Sequence, residues 1–390
     1  MKRIRRREVD AGAATGSRER ALDGLRGAGA IAVFGYHLFD FFPVGEGLRA
    51  ATLASPLGFL INGLGALHVF FVLSGFVLAL SFTRDQRPGR IWRFYVRRFF
   101  RIHPTYVAGV LFAWVVTIGM TPLGGALRPG LASTACFHVP GALLPRALMA
   151  PSVAFGQLPV GWSLFVEMAM SAVFPMLVWL ALSTHPALLV LGGIWLLRPI
   201  DPRVGFLIFT IDFALGIALF LAATRLERWS GGLSRGARLA WVVAAIVLLQ
   251  SPYAFSWWTT GQSGMTHRYE AQMIVPLALG AVLLVAASLH LSGVRSFFSM
   301  RWISALGQVS FSFYLIHFSV LLWSTCRITG PEPPLPVVLL VAVLGFAVST
   351  GLAVLGYRLV ELPSVAAGRG VIRGLQRLGR RRAPLRNDPG

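Results

Sequence analysis

Apolar residues fall into runs of about 20, the length of helix that crosses roughly 30 Å of hydrocarbon. The runs are 26–44, 56–82, 104–124, 160–183, 186–199, 204–224, 239–256, 271–292, 302–326 and 336–360, which predicts ten membrane-spanning helices. The run from Pro186 to Pro199 is short, so it reads either as a span or as a re-entrant or buried segment. No internal repeat and no second soluble domain is visible. The expected organisation is a basic tail over 1–20, a membrane domain over 21–365 and a second basic tail over 366–390, amphipathic or disordered. The fold class is all-α, a polytopic integral membrane protein.

Composition agrees with this pattern. Of 390 residues, 55% are hydrophobic and only 13% charged, whereas a soluble domain carries about a quarter charged residues. Too few polar side chains remain to cover a water-facing surface, so a soluble enzyme is excluded. Against that background, 36 basic and 15 acidic residues give a formal charge of +21. Cytoplasmic loops are enriched in Lys and Arg. With the N-terminus inside, segments 1–25, 83–103, 225–238, 293–301 and 361–390 hold 27 of the 36 basic residues and the outer segments 7. An even number of spans keeps both Arg-rich termini cytoplasmic. The charge is then a topology signal and an attraction to anionic inner-leaflet lipid, with no nucleic-acid partner. The first 20 residues lack an apolar stretch ending in a cleavage site, so they are not a cleavable signal peptide. Cys136 and Cys326 both fall on the outer side, where they either pair or stay as two thiols. No Cys/His spacing suits zinc, and no metal is expected.

Ionisable groups within spans are costly and mark candidate chemistry. Arg26 and His37 stand 11 residues apart, about 1100° of helix and within about 20° of three full turns, so they share one face. Arg26 sits at the cytoplasmic end and His37 near or beyond the midplane. Asp40, one turn after His37, is placed to accept a hydrogen bond from a ring nitrogen and so set which nitrogen stays basic. Glu167 enters about two turns into the fourth span, and it is the only acidic residue between Asp85 and Asp201. His317 lies in the outer half of the ninth span. His37, Glu167 and His317 thus reach similar depth from three helices, which predicts one polar cavity; His68, near the midplane, is a further candidate. On the inner side, Arg98 and Arg101 form an i, i+3 fork suited to phosphates. Trp257 and Trp258 are placed either to anchor a helix at the interface or to stack on sugar rings.

These residues lie in motifs. Asp23-Gly24-Leu25-Arg26-Gly27 with His37, Phe70-Phe71-Val72-Leu73-Ser74-Gly75-Phe76, Arg98-x-x-Arg101, Trp162-Ser163-Leu164 with Glu167, Ser312-x-Tyr314-Leu315-x-His317 and Tyr357-Arg358-Leu359-Val360-Glu361-Leu362-Pro363 follow in that order. The set resembles the acyltransferase 3 family over residues 20–365. The resemblance implies a ten-helix O-acyltransferase of a bacterial-type cell membrane. It would take an acyl group, often acetyl, from cytosolic acyl-coenzyme A to a hydroxyl of a polysaccharide, peptidoglycan, glycolipid or macrolide glycoside. It implies His37 as the catalytic histidine with Arg26 as its partner, Glu167 and His317 in the same site, and Arg98 and Arg101 on the coenzyme A phosphates. Asp40 lies outside the motifs; orientation of His37 by Asp40 or Glu167 is an expectation from the residues themselves. The rival reading is a proton-coupled transporter or flippase for an anionic lipid or glycan, which buried His, Glu and Arg would equally suit.

Overall fold

The computed structural model describes residues 2–42, 51–52, 55–118, 158–183, 208–260, 267–327 and 334–382, all helix or short connection with no strand among them. In chain order the helices are α1 (Lys2–Phe41), α2 (Gly63–Arg84), α3 (Arg90–Ile118), α4 (Gly161–Ser183), α5 (Thr210–Gly231), α6 (Arg235–Thr260), α7 (His267–His290), α8 (Ser292–Phe298), α9 (Arg301–Gln308), α10 (Ser310–Arg327), α11 (Leu335–Gly356) and α12 (Leu362–Arg382). A 3₁₀ turn over Pro56–Ile61 precedes α2, and a π-helical turn, Tyr357–Glu361, joins α11 to α12. The expected span 186–199, Cys136 and most of the 125–159 loop lie outside the described residues, as do the side chains of Trp257, Trp258 and Cys326.

Among the described residues, five helical segments are long and apolar enough to cross a membrane: α2, most of α3, α4, most of α6, and α11 with its continuation. Two bent pairs raise this to as many as seven: α7 with α8, bent by 95°, and α9 with α10, bent by 78°. The ten expected runs therefore do not all appear as straight spans. The run 302–326 is broken at Val309, and 271–292 ends in a sharp turn into α8. Helix α1 is not among the five because Arg26, His37 and Asp40 interrupt its apolar stretch; α5 carries Asp212, Arg225, Glu227 and Arg228. Residues 2–20 continue directly into α1, and α12 continues from α11.

The surface is that of a membrane protein. Val115, Met176, Trp179, Leu182, Val247, Leu339, Leu344 and Val348 are exposed on α3, α4, α6 and α11, a band of apolar side chains that water would not tolerate. Proline inside α3, α4, α6 and α7 is compatible with this setting, because neighbouring helices re-satisfy the freed carbonyls.

Helix α1 is the hub. Ala30, Phe34, Leu38 and Phe41 join a core shared with α3, α4, α10 and α11, while Leu22 and Leu25 join a second core with α2, α6 and α7. Small residues set the closest approaches, as expected where helix association rests on van der Waals fit. A Cβ on Gly307 would overlap the backbone oxygen of Asp23, and one on Gly24 that of Phe298, so α1 lies directly on α8 and α9. Gly75 and Gly216 bring α2 onto α5 in the same way.

The π turn has a local cause. The Leu362 N–H reaches back five residues to the Tyr357 carbonyl. Pro363, which follows, has no N–H, and its ring would press on the carbonyl four residues earlier, so the widened turn relieves the clash. It also turns Glu361 inward, fully buried.

Candidate active site

Two helices deliver three arginines to one cavity of about 150 Å³, lined by Arg26 of α1, Arg98 and Arg101 of α3, Ser74 of α2, Ser163 and Glu167 of α4, and Tyr314 of α10, among others. Each arginine already has an anchor. Arg26 Nη1 donates to Asp23 Oδ1 at 2.9 Å, one turn back on its own helix. Arg98 Nη2 donates to Glu167 Oε1 at 2.7 Å and its Nε to Ser171 Oγ at 3.0 Å. Arg101 is held by Glu361, whose second oxygen accepts from Ser312 at 3.0 Å. The fork read from the sequence is present, but its two prongs are aimed by two different carboxylates. Three cations against Glu167, Glu361 and Asp23 leave N–H groups on each guanidinium free for a polyanion, since each carries five donors.

Glu167 faces this cavity and not the histidines. A carboxylate beside a guanidinium gains the attraction of opposite charges as well as the hydrogen bond, whereas a neutral ring offers the hydrogen bond alone. Arg98 therefore takes the group that was expected to orient His37. Ser74 adds a weaker donor at 3.4 Å.

His37 and His317 form their own unit. His37 Nδ1 lies 3.0 Å from His317 Nε2, and His317 Nδ1 lies 3.1 Å from the Phe313 carbonyl. A carbonyl only accepts, so His317 carries its proton on Nδ1. With both rings neutral, His317 Nε2 must accept and His37 Nδ1 must donate. The lone pair left over is on His37 Nε2. The rings of Phe34, Phe313 and Phe318 surround the pair, with His317 stacked on Phe313 at 2° between planes. Asp40 is exposed, and of the two His37 ring nitrogens Nδ1 faces His317.

The expected single cavity thus holds Glu167 but not the histidines, which lie outside its lining. Tyr314 lines the arginine cavity, and its ring centroid is 5.8 Å from that of His317. Its hydroxyl meets Ser163 Oγ at 2.7 Å, and both hydroxyls approach the Val160 carbonyl, at 3.2 and 3.1 Å. Two hydroxyl protons serve three oxygen contacts, so neither is spare. His68 belongs to neither the cavity nor the pair: it is fully buried against Asp212, with Nδ1 2.9 Å from both carboxylate oxygens.

Sequence reading missed Glu361, Asp212 and the Ser163–Tyr314 couple as partners. Two of these had a usable signal. Glu361 is the only acidic residue between Glu332 and Asp388, and Asp212 is the only one inside the apolar run 204–224.

The helical membrane body thus holds a cavity lined by three arginines close to a histidine pair. Residues 19–355 match the acyltransferase 3 family, described as an acyltransferase domain, and the chain belongs to that family. It is an acyltransferase. It is 28% identical over 349 residues to the acyltransferase MdmB of Streptomyces mycarofaciens, covering 80% of this chain and 81% of that protein. No solved structure matches the chain.

Proposed function

We propose that the protein is a membrane O-acyltransferase that moves an acyl group, acetyl foremost, from cytosolic acyl-coenzyme A to a hydroxyl of a carbohydrate-containing acceptor. The observation that carries this reading is the His37–His317 contact close to a cavity lined by three arginines; with both rings neutral, its hydrogen-bond order leaves the lone pair on His37 Nε2. The thioester is already activated, so the enzyme must deprotonate the attacking hydroxyl, stabilise the oxyanion and hold both substrates. In this scheme His37 Nε2 takes the hydroxyl proton as the new ester bond forms and the thiol of coenzyme A leaves. His317 holds the His37 ring in the required tautomer. Arg26, Arg98 and Arg101 hold the phosphates of the donor, and Tyr314 separates donor and base until substrates enter. The same scheme takes the ten-span topology with both termini cytoplasmic, in a bacterial-type inner or plasma membrane, so that donor and acceptor meet from opposite faces.

The test is His37→Ala in membranes, read by mass shift of glycans and small glycosides and by transfer of label from acetyl-coenzyme A. The expected loss is about 10²- to 10⁴-fold with insertion unchanged; wild-type product would end the proposal. Arg98→Gln with Arg101→Gln should weaken donor binding more than acceptor binding. Membership in an acyltransferase family and the likeness to an acyltransferase favour this over a transporter, which would need no thioester.

A further inference from the structure

A second cationic site lies outside the cavity above. Helix α12 packs along the first turns of α3: Gly368 presses on Phe100, Ser364 donates to the Phe100 carbonyl, and Ile372 is buried. This contact fixes the rotation of α12 and turns one of its faces toward the loop after α2. Between them is a groove of about 540 Å³ lined by Arg87, Arg97, Arg369, Ile372, Arg373 and Gln376.

The charges in that groove do not balance. Asp85 is the carboxylate at its edge, and it is saturated. Arg93 grips both of its oxygens, at 2.8 and 3.0 Å, while Arg87 and Arg97 add bonds of 3.2 and 3.1 Å. Arg369 and Arg373 are exposed and make no hydrogen bond or ion pair among the described residues. Four arginines therefore line one groove, with Asp85 already committed to Arg93. Arg87 spends only its backbone N–H and its Nε on Asp85, which leaves both of its terminal nitrogens. The side chains that face inward from α12 and from the loop include no further acid. Like charges gathered along one groove repel, and an anion bound among them relieves that repulsion. Arginine forks match phosphate geometry, and the volume is that of a small-molecule site, roughly 300–1,000 Å³, larger than a lone phosphate needs.

We propose that this groove binds a phosphate-bearing ligand, either the nucleotide end of a cytosolic coenzyme or the headgroup of an anionic phospholipid. The site stands whether or not the reading of His37 as base is right.

The experiment uses the full-length protein in a neutral detergent, with Arg369→Gln/Arg373→Gln as the variant; both residues are exposed, so the fold should survive. In one arm, calorimetry measures adenosine 3′,5′-bisphosphate binding. In the other, native mass spectrometry measures retention of phosphatidylglycerol against phosphatidylcholine. The expected result is a loss of about tenfold or more in one arm. Loss in the first arm assigns the nucleotide; loss in the second assigns the lipid. Arg369→Lys/Arg373→Lys should restore much of that binding, which separates charge from a packing defect. Unchanged binding in both arms, with the variant folded, overturns the proposal.

Discussion

Truncating Arg101 and truncating Glu361 destroy the same ion pair but strand different partners. The Glu361 side chain is fully buried, whereas 45% of the Arg101 side chain is exposed. In Arg101→Ala the carboxylate stays inside the helical body with Ser312 as its remaining partner. An uncompensated buried charge costs about 3–5 kcal/mol. In Glu361→Ala the guanidinium is already half in solvent and rehydrates, so the loss falls to about 1–2 kcal/mol. The double variant removes both groups and should be more stable than Arg101→Ala alone, because nothing charged is left behind. Thermal or denaturant unfolding of the four proteins in one detergent measures the order. If Glu361→Ala is the more damaging change, or if the two losses simply add, the pair is not coupled as the geometry requires.

The other predictions follow from single contacts. The Asp85 carboxyl is held well below the usual carboxylate range, first by its hydrogen bonds to Arg93 and then by those to Arg87 and Arg97. Its stabilising contribution is therefore present above the unfolded value of about 3.9 and is lost as pH falls below it toward the depressed folded value; Asp85→Asn should flatten the acid limb of a pH-stability curve and cost about 3 kcal/mol at neutral pH by stranding buried Arg93. His317→Ala should lower turnover about a hundredfold by freeing the His37 tautomer, and His317→Gln, which keeps an acceptor, should recover part of it; equal activity in all three proteins would remove His317 from the mechanism. Gly307→Ala should destabilise by about 1–3 kcal/mol or more, since its Cβ would occupy the place of the Asp23 oxygen, and an unfolding midpoint equal to wild type would contradict that approach.

Much of the fold was legible because hydrophobic length is a direct measure of membrane thickness. The runs containing α2, α4, α6 and α11 were readable as spans for that reason. What hydropathy does not encode is a bend. The break between α9 and α10 falls inside an apolar run, and its cause is tertiary: α9 must lie against α1, where Gly307 and Gly27 meet its backbone, before α10 can turn away. The long continuation of α11 into α12 was hidden by Pro363, which reads as a helix end but here follows a π turn that absorbs it.

The site was legible in its residue types and less so in its pairings. An arginine or a carboxylate in an apolar run announces that it needs a partner, and Arg26, Arg98, Arg101, Glu167, His37 and His317 all stand where such partners or cavities exist. Which partner wins is decided by distance in three dimensions and by charge. Arg98, 69 residues from Glu167, takes the carboxylate from the histidines, and His317, 280 residues from His37, meets its Nδ1. Helical spacing proposes neighbours within one element. A buried ring, however, binds the group that leaves fewest donors and acceptors unmet, and for His37 that group is another imidazole whose own proton is already committed to the Phe313 carbonyl. With both rings neutral the chain of donation runs one way, toward that carbonyl, and the open lone pair of the pair then falls on His37 Nε2 and on neither nitrogen of His317.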